Sequence, residues 1–338
     1  MTGGDVVVTG AAGFAGRALC AHFVATKCAH RGLVRALPPD VSHAAGHDAA
    51  RGVAHDVAPL PRWIAVGDLA VASPDALAAA LDGASAVVHL AGRAHVMQQE
   101  PDADAAYAAA NVEATRRLAV AAVGAGVGRF VIVSSVKVHG ESTAPGCPLS
   151  AGSAFSPQDA YARSKVAAEA ALAAVCAGTP MVPVILRTPL MYGPGVKGNF
   201  LALLEAVARR AWLPLGAIDN RRDLLFVGNL AHAIAALLDA DEPVAGAWMV
   251  ADGRAVSTPE LVRRIASALD VAPRLLRVPL PMLELAARVS GRRAQMQRLA
   301  QSFEVDATPL ARRIGPLRYS LDDGLAMTAR WWRGRHGI

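Results

Sequence analysis

Ser135 and the pair Tyr161 and Lys165, in the run Tyr-Ala-Arg-Ser-Lys, are the residues whose types and spacing can move a proton. Tyrosine and lysine four apart share one face of a helix. An ammonium beside a phenol favours the phenolate, so Lys165 is expected to draw Tyr161 down from its usual pKa of ~10 toward working pH. Such a tyrosine exchanges a proton with a hydroxyl or carbonyl oxygen that Ser135 holds in place. A Tyr-x-x-x-Lys spacing by itself arises by chance in many helices. Here it follows an apolar run that closes in Ser134-Ser135, and a glycine loop lies near the start of the chain.

That loop is Thr9-Gly10-Ala-Ala-Gly13-Phe14-Ala15-Gly16, at the junction of a buried-strand pattern and an alanine-rich helix. Glycines permit a tight turn and close backbone approach, and the helix start offers free N–H groups to a pyrophosphate. The spacing is GxxGxxG. Two further turns follow strand patterns. Gly67-Asp68-Leu69 offers a carboxylate that can accept from an adenine amino group, and His89-Leu90-Ala91-Gly92 offers small residues that let the backbone line a cofactor. His89 itself reads as a core histidine. With a nicotinamide dinucleotide in the loop, hydride would pass between its ring and the carbon whose oxygen Tyr161 serves.

These groups must be positioned by elements that the apolar pattern makes visible. Strands are expected at 5–9, 32–35, 63–66, 86–90, 129–133 and 182–186, with helices at 13–25, 74–81, 102–125 and 157–177. Strands that are apolar throughout are buried on both faces, as in a parallel sheet covered by helices. The expectation is a doubly wound α/β domain of Rossmann type. After Leu186 the strands shorten, to 224–227 and 248–250, and proline, glycine and arginine become frequent. Ser257-Thr-Pro-Glu260 reads as a capping box, and Ser320 with Asp323 as another. The division expected is a dinucleotide-binding domain over 1–187, with a returning segment near 223–250. A smaller, mostly helical substrate-binding domain takes 188–222 and 251–338.

Composition narrows the function classes. The 338 residues are 53% hydrophobic and 18% charged, which excludes a disordered chain. No apolar run approaches the ~20 residues of a spanning helix, so no membrane insertion is expected. MTGGDVVVTG carries no basic region before its short apolar run, and a cytoplasmic location is expected. Cys20, Cys28, Cys147 and Cys176 form no CxxC pair, and no metal site is expected. The loop 38–62 holds His43, His47 and His55 without a completing carboxylate or cysteine, and reads as a polar loop. The net charge of +6 is dispersed, its densest cluster being Arg330 to Arg335, so no nucleic-acid partner is expected. Leu280 to Val289, followed by Arg292 and Arg293, reads as a helix of the small domain rather than a membrane contact.

Taken together the motifs resemble those of the extended short-chain dehydrogenases/reductases, within them the NAD-dependent epimerase/dehydratase family and its UDP-glucose 4-epimerase-like subgroup. The resemblance runs from about Val6 to Trp332. It is carried by VVHLAGRAHVM, RFVIVSSVKVHGE, YARSKVAAEAAL, RTPLMYGPGVKGNFLALL and NRRDLLFVGNLAHAI. It implies Ser135, Tyr161 and Lys165 as the catalytic set, with Asn111 as the family's additional active-site asparagine. For the cofactor it implies Gly10, Gly13, Phe14, Ala15, Gly16, Asp68, Leu69, Leu90, Ala91, Gly92, Lys165 and Thr188. For the substrate it implies Ser135, Lys137, Asn199 and Arg222.

Two departures from the family pattern matter. The 4,6-dehydratases carry Asp-Glu directly after the catalytic serine or threonine, where this chain has Val136 and Lys137, so dehydration is disfavoured. At the end of the second strand NAD-preferring members carry a carboxylate. Here Leu33-Val-Arg35-Ala has none, and Arg35 can meet a 2′-phosphate, which leaves NADP open beside NAD. The resemblance implies a UDP-sugar 4-epimerase of surface-polysaccharide precursor synthesis. The alternative is a reductase of a UDP-4-keto-6-deoxyhexosamine, and a remote one is a non-catalytic dinucleotide sensor. A homodimer through the helices of Asn111 and Tyr161 is implied as well. Ala167, Ala168, Ala170 and Ala171 would permit close packing there.

Overall fold

The computed structural model describes residues 4–37, 62–93, 102–240, 242, 244–291 and 293–337, so most of the histidine-bearing loop lies outside the described residues. Two compact units emerge. The first comprises Met1–Val138, Pro157–Arg187 and Ala231–Trp248; the second comprises His139–Ser156, Thr188–Leu230 and Met249–Ile338.

The first unit is built on β1 (Asp5–Thr9), β2 (His30–Val34), β3 (Arg62–Ala65), β4 (Ala84–His89), β5 (Arg129–Ser135) and β6 (Val182–Thr188). Later in the chain come β7 (Leu190–Tyr192), β8 (Leu224–Phe226) and β9 (Gly246–Met249). The main sheet runs β3-β2-β1-β4-β5-β6-β9. The pairs β1–β2, β1–β4, β2–β3 and β4–β5 are parallel. Consecutive residues of β1 and β5 (Val6, Val7, Val8; Phe130, Val131, Ile132) are buried, so both faces of the sheet are covered. The fold is a doubly wound α/β fold of Rossmann type. Its order reverses at β1, between β2 and β4, and the crevice beyond the carboxyl ends of β1 and β4 is where such sheets take ligands.

The flanking helices are α1 (Phe14–Ala25), α2 (Pro74–Leu81), α3 (Ala103–Tyr107), α4 (Ala114–Gly124) and α5 (Ala160–Cys176). Ser73 caps α2, its hydroxyl accepting from Ala76 N–H at 3.2 Å ahead of Pro74. α4 packs on α5 and α2, with Ala114, Leu118, Ala122, Ala168 and Leu172 buried in one cluster with Leu77, Leu81 and Phe130. The alanines let these helices approach closely. The helix expected from residue 157 begins instead at Ala160, because Asp159 takes the cap position and accepts from Ala162 N–H at 2.7 Å. The helix expected over 102–125 is interrupted by a π-helical turn at Ala108–Glu113.

The second unit holds α6 (Gly198–Ala208), the start of α7 (Val227–Asp239), and α8 (Thr258–Ala268), α9 (Leu280–Val289), α10 (Arg293–Ala300), α11 (Thr308–Ile314) and α12 (Leu321–His336). β7 and β8 pair in parallel. Asp252 organises its centre. It accepts from the Tyr192 phenol at 3.0 Å, Phe226 N–H at 2.9 Å and Asn229 Nδ2 at 2.8 Å. Asn229 also brackets Tyr319, donating to its carbonyl at 2.8 Å and accepting from its N–H at 2.9 Å. Ser320 and Asp323 close a full capping box at α12. Ser257 caps α8, but the Glu260 carboxylate pairs with Arg264 at 2.8 Å and Arg254 at 3.6 Å, so the box expected there is half made.

Candidate active site

Beyond β1 the chain turns at Gly10, whose φ of +66° suits glycine, and Gly13 N–H donates to the Gly10 carbonyl at 2.8 Å. A Cβ on Gly16 would stand 2.2 Å from the Gly10 carbonyl oxygen and 2.6 Å from Ala11 Cα, so helix α1 packs directly on the loop that precedes it. Gly13 caps α1 with no side-chain hydrogen bond, and no acidic residue lies in the first turn. The N–H groups of Phe14, Ala15 and Gly16 are thus left to an anion rather than to the protein's own side chains. The segment after β4 lies against this loop. Leu90 N–H donates to the Thr9 carbonyl and Ala91 N–H to Thr9 Oγ1, each at 3.2 Å, and a Cβ on Gly10 would meet Ala91 N at 2.7 Å. The loop fits a pyrophosphate.

At the far ends of β2 and β3, Arg35 and Asp68 form an ion pair at 3.1 Å, with side chains 75% and 45% exposed. Asp68 also accepts from Ala70 N–H at 3.0 Å, and its carbonyl takes Val71 and Ala72 N–H, so it shapes the turn after β3. Leu69 is buried beneath it.

The residues expected to move a proton converge in the first unit. Ser135 ends β5; its hydroxyl accepts from Lys137 N–H at 3.2 Å and hydrogen-bonds Tyr161. Tyr161 and Lys165 lie on one face of α5. The Lys165 ammonium sits 6.0 Å from the Tyr161 ring centroid and donates to the Val133 carbonyl at 3.0 Å. The Lys137 ammonium lies 5.9 Å from the same ring, held by the Asp159 carboxylate.

Burial, however, reverses the shift expected for Tyr161. Desolvation pushes its pKa up to about 12, with only the Ser135 hydrogen bond opposing. Lys165 is pushed down to about 8, again by burial, with the Glu169 charge opposing. The tyrosine is therefore neutral at pH 7. The lysine stays mostly charged.

Asn111 sits in the π turn, buried, and every polar atom of its side chain is engaged. Its Oδ1 accepts from Arg93 N–H at 2.7 Å, and its Nδ2 donates to the Arg93 carbonyl at 3.2 Å and to Ser164 Oγ at 2.8 Å. It ties the chain after β4 to α5 between Tyr161 and Lys165. A Cβ on Gly92, at φ +156°, would stand 2.8 Å from Asn111 Oδ1 and 3.7 Å from Lys165 Nζ. Gly92 therefore leaves room for the Asn111 amide oxygen.

Several neighbours escaped the sequence reading. Tyr107 packs edge-on against Tyr161 at 6.0 Å between centroids, with the Arg93 guanidinium 5.4 Å from the Tyr107 ring. Glu169, one turn beyond Lys165, pairs with Arg187 at 2.7 Å and accepts from the Ser134 hydroxyl. The Tyr161, Lys165, Glu169 periodicity was the available signal. His89 is paired with Thr9 at 2.7 Å and kept neutral, its pKa pushed down to about 3 by burial and then by Lys165.

Asn199, Arg222 and Thr188 fall in the second unit. Asn199 is exposed in the first turn of α6. Arg222 donates to the Gln301 carbonyl at 3.0 Å, and its backbone bridges Val256 and Phe303. Thr188 ends β6 and is buried.

The description of the NAD dependent epimerase/dehydratase family matches residues 6–251. The chain is 36% identical over 253 residues to a UDP-glucose 4-epimerase of Vibrio cholerae, covering 74% of this chain and 77% of that one. It is 28% identical over 345 residues to a ceramide reductase of Caulobacter vibrioides, covering 98% and 95%. The solved structure of MoeE5 in complex with UDP-glucuronic acid and NAD is similar with a TM-score of 0.75 at 26% identity, over 99% of this chain and all of that one.

Proposed function

Because the chain belongs to the NAD dependent epimerase/dehydratase family, we propose that it is a nucleotide-sugar enzyme acting at C4 of a UDP-hexose, a UDP-sugar 4-epimerase of surface-polysaccharide precursor synthesis. The observation that carries the reading is Tyr161, hydrogen-bonded to Ser135 and flanked by Lys165 in the unit that holds the glycine loop. Its likeness to the Vibrio cholerae epimerase supports the choice of reaction.

In this reading the N–H groups of α1 and the loop Gly10–Gly16 hold the dinucleotide's pyrophosphate, and Arg35, Asp68 and Leu69 meet its adenosine end. When bound, the oxidised dinucleotide supplies a hydride acceptor and a positive charge. Ser135 holds the C4 oxygen of the sugar. Tyr161, neutral by burial without ligands, would take the C4 hydroxyl proton as a phenolate that the dinucleotide's positive charge, Ser135 and Lys165 favour once both ligands are bound. It would return that proton to the C4 carbonyl oxygen when the carbonyl is reduced. Asn111 positions α5 through Ser164, and Asn199 and Arg222 take the nucleotide diphosphate. Neither position after Ser135 supplies a carboxyl group for eliminating water: Val136 is apolar and Lys137 is committed to Asp159. A homodimer through the helices of Asn111 and Tyr161 belongs to the same reading.

A second reading, an NAD(P)H-dependent 4-keto reductase of a UDP-4-keto-6-deoxyhexosamine, is favoured by one observation. Arg35 stands exposed at the end of β2 where a 2′-phosphate would lie. Both readings are tested on purified protein. Stoichiometric bound NAD and interconversion of UDP-glucose or UDP-N-acetylglucosamine with their C4 epimers, without added cofactor, is the expected result. An absolute requirement for added NADH or NADPH with a 4-keto sugar would overturn the epimerase. Full turnover by Tyr161→Phe would overturn the role of Tyr161 in both, and dinucleotide binding without turnover of any UDP-sugar would leave a non-catalytic sensor.

A further inference from the structure

Helix α9 buries one apolar face and leaves a second one outside. Leu283 and Ala287 are buried, whereas Met282, Leu285 and Val289 are 62%, 64% and 84% exposed. At 3.6 residues per turn these three lie on one stripe about 60° wide, opposite the buried pair. Leu276, in the chain entering the helix, and Leu280, its first residue, are 43% and 38% exposed. Leu276 N–H donates to the Leu213 carbonyl at 2.8 Å, and next to Leu213 stands Trp212, 60% exposed, with the Arg274 guanidinium 5.3 Å from its ring centroid.

This stretch is locally basic. Between 274 and 300 the sequence has Arg274, Arg277, Arg288, Arg292, Arg293 and Arg298 against one acid, Glu284, a local excess of +5. Arg277 and Arg288 are exposed. An exposed aliphatic stripe, an exposed tryptophan and a cluster of arginines are what an interfacial helix presents to acyl chains, headgroups and lipid phosphates respectively. A second copy of the chain would instead bring like charge against like. Among the described residues no helix is long and apolar enough to cross a membrane, so the contact is with a surface.

We propose that the second unit docks on an anionic lipid bilayer through α9 and the segment 274–280, with Met282, Leu285 and Val289 entering the headgroup–acyl boundary and Arg277 and Arg288 meeting phosphates. This goes beyond the reading of the Tyr161 site and does not depend on it. Leu280–Val289 is a helix of the second unit, as its sequence predicts, and the proposal adds a surface contact to it.

The test is flotation of the full-length protein with phosphatidylcholine vesicles, with and without phosphatidylglycerol. The protein is expected to float with the phosphatidylglycerol-containing vesicles, to be released by high salt, and to ignore phosphatidylcholine alone. Met282→Glu with Leu285→Glu should weaken that binding at least about tenfold while circular dichroism and dinucleotide binding stay unchanged. Should the double variant misfold, Arg288→Glu tests the same contact at an exposed charge. Failure of the protein to bind anionic vesicles, unweakened binding by both variants, or a solution dimer that the double variant dissociates would each overturn the proposal.

Discussion

Glu169 and Arg187 form an ion pair at 2.7 Å with both side chains 5% exposed, one helical turn beyond Lys165, and Ser134 donates to the same carboxylate. The pair links α5 to β6 and, through Ser134, to the strand that presents Ser135. Removing one partner leaves a buried charge alone. Glu169→Ala is expected to cost about 3–5 kcal/mol in chemical denaturation.

The same carboxylate bears on the reaction's pH dependence. Burial holds Lys165 down to about 8 and the Glu169 charge opposes it. Turnover should fall as pH rises through about 8, when Lys165 loses its proton. Glu169→Gln should move that fall to lower pH in a kcat profile, a shift that a purely structural loss would not produce. Lys165→Arg, charged at every pH used, should remove the alkaline fall from whatever activity it retains.

His89 gives the fold an acid sensitivity of definite sign. Its pKa in the folded chain is about 3 against 6.5 for a free histidine, so below 6.5 the unfolded chain binds the extra proton. Stability should therefore drop as pH falls from 6.5 toward 3. Urea midpoints measured against pH for the native chain and for His89→Gln should diverge in that window, with the variant flatter.

Arg35 and Asp68 should set the choice of dinucleotide together. Arg35→Ala is expected to weaken NADP binding about tenfold with little effect on NAD. Asp68→Asn, which releases the guanidinium from its ion pair, should shift the preference toward NADP. Equilibrium titration with both dinucleotides reads the two effects directly.

Gly16→Ala places a methyl group 2.2 Å from a backbone oxygen, so the loop itself must move. Dinucleotide binding should fall below detection by calorimetry. Thermal stability should drop by a few degrees, as for a cost of about 1–3 kcal/mol.

The pattern of the first unit was legible because its strands are buried on both faces. Apolar runs placed β1 at Asp5–Thr9 without error, and the other strands within two or three residues. Tyr161 and Lys165 were legible because four-residue spacing on a helix is a local property. The environment of Tyr161 was not. Its shift is set by burial, which no spacing reports, and burial outweighed the Ser135 hydrogen bond. The π turn at Ala108–Glu113 was missed because a helix with one such turn has the same composition as one without. The Asp252 network joins residues 192, 226, 229 and 252, and residue 319 joins it through Asn229. Each polar residue in it looks like an ordinary surface group until the fold brings them together.

The interleaving of the two units has a consequence for synthesis on the ribosome. The seventh strand of the main sheet is β9, Gly246–Met249, while the glycine loop is made within the first sixteen residues. A nascent chain of the length that ordinarily completes a small domain still lacks the strand that covers β6. At translation rates of about 5–20 residues per second, that edge stays open for several seconds after β6 emerges. No single cut in the gene yields either unit whole. A recombinant fragment ending before Met249 should be held by chaperones rather than released as a folded protein.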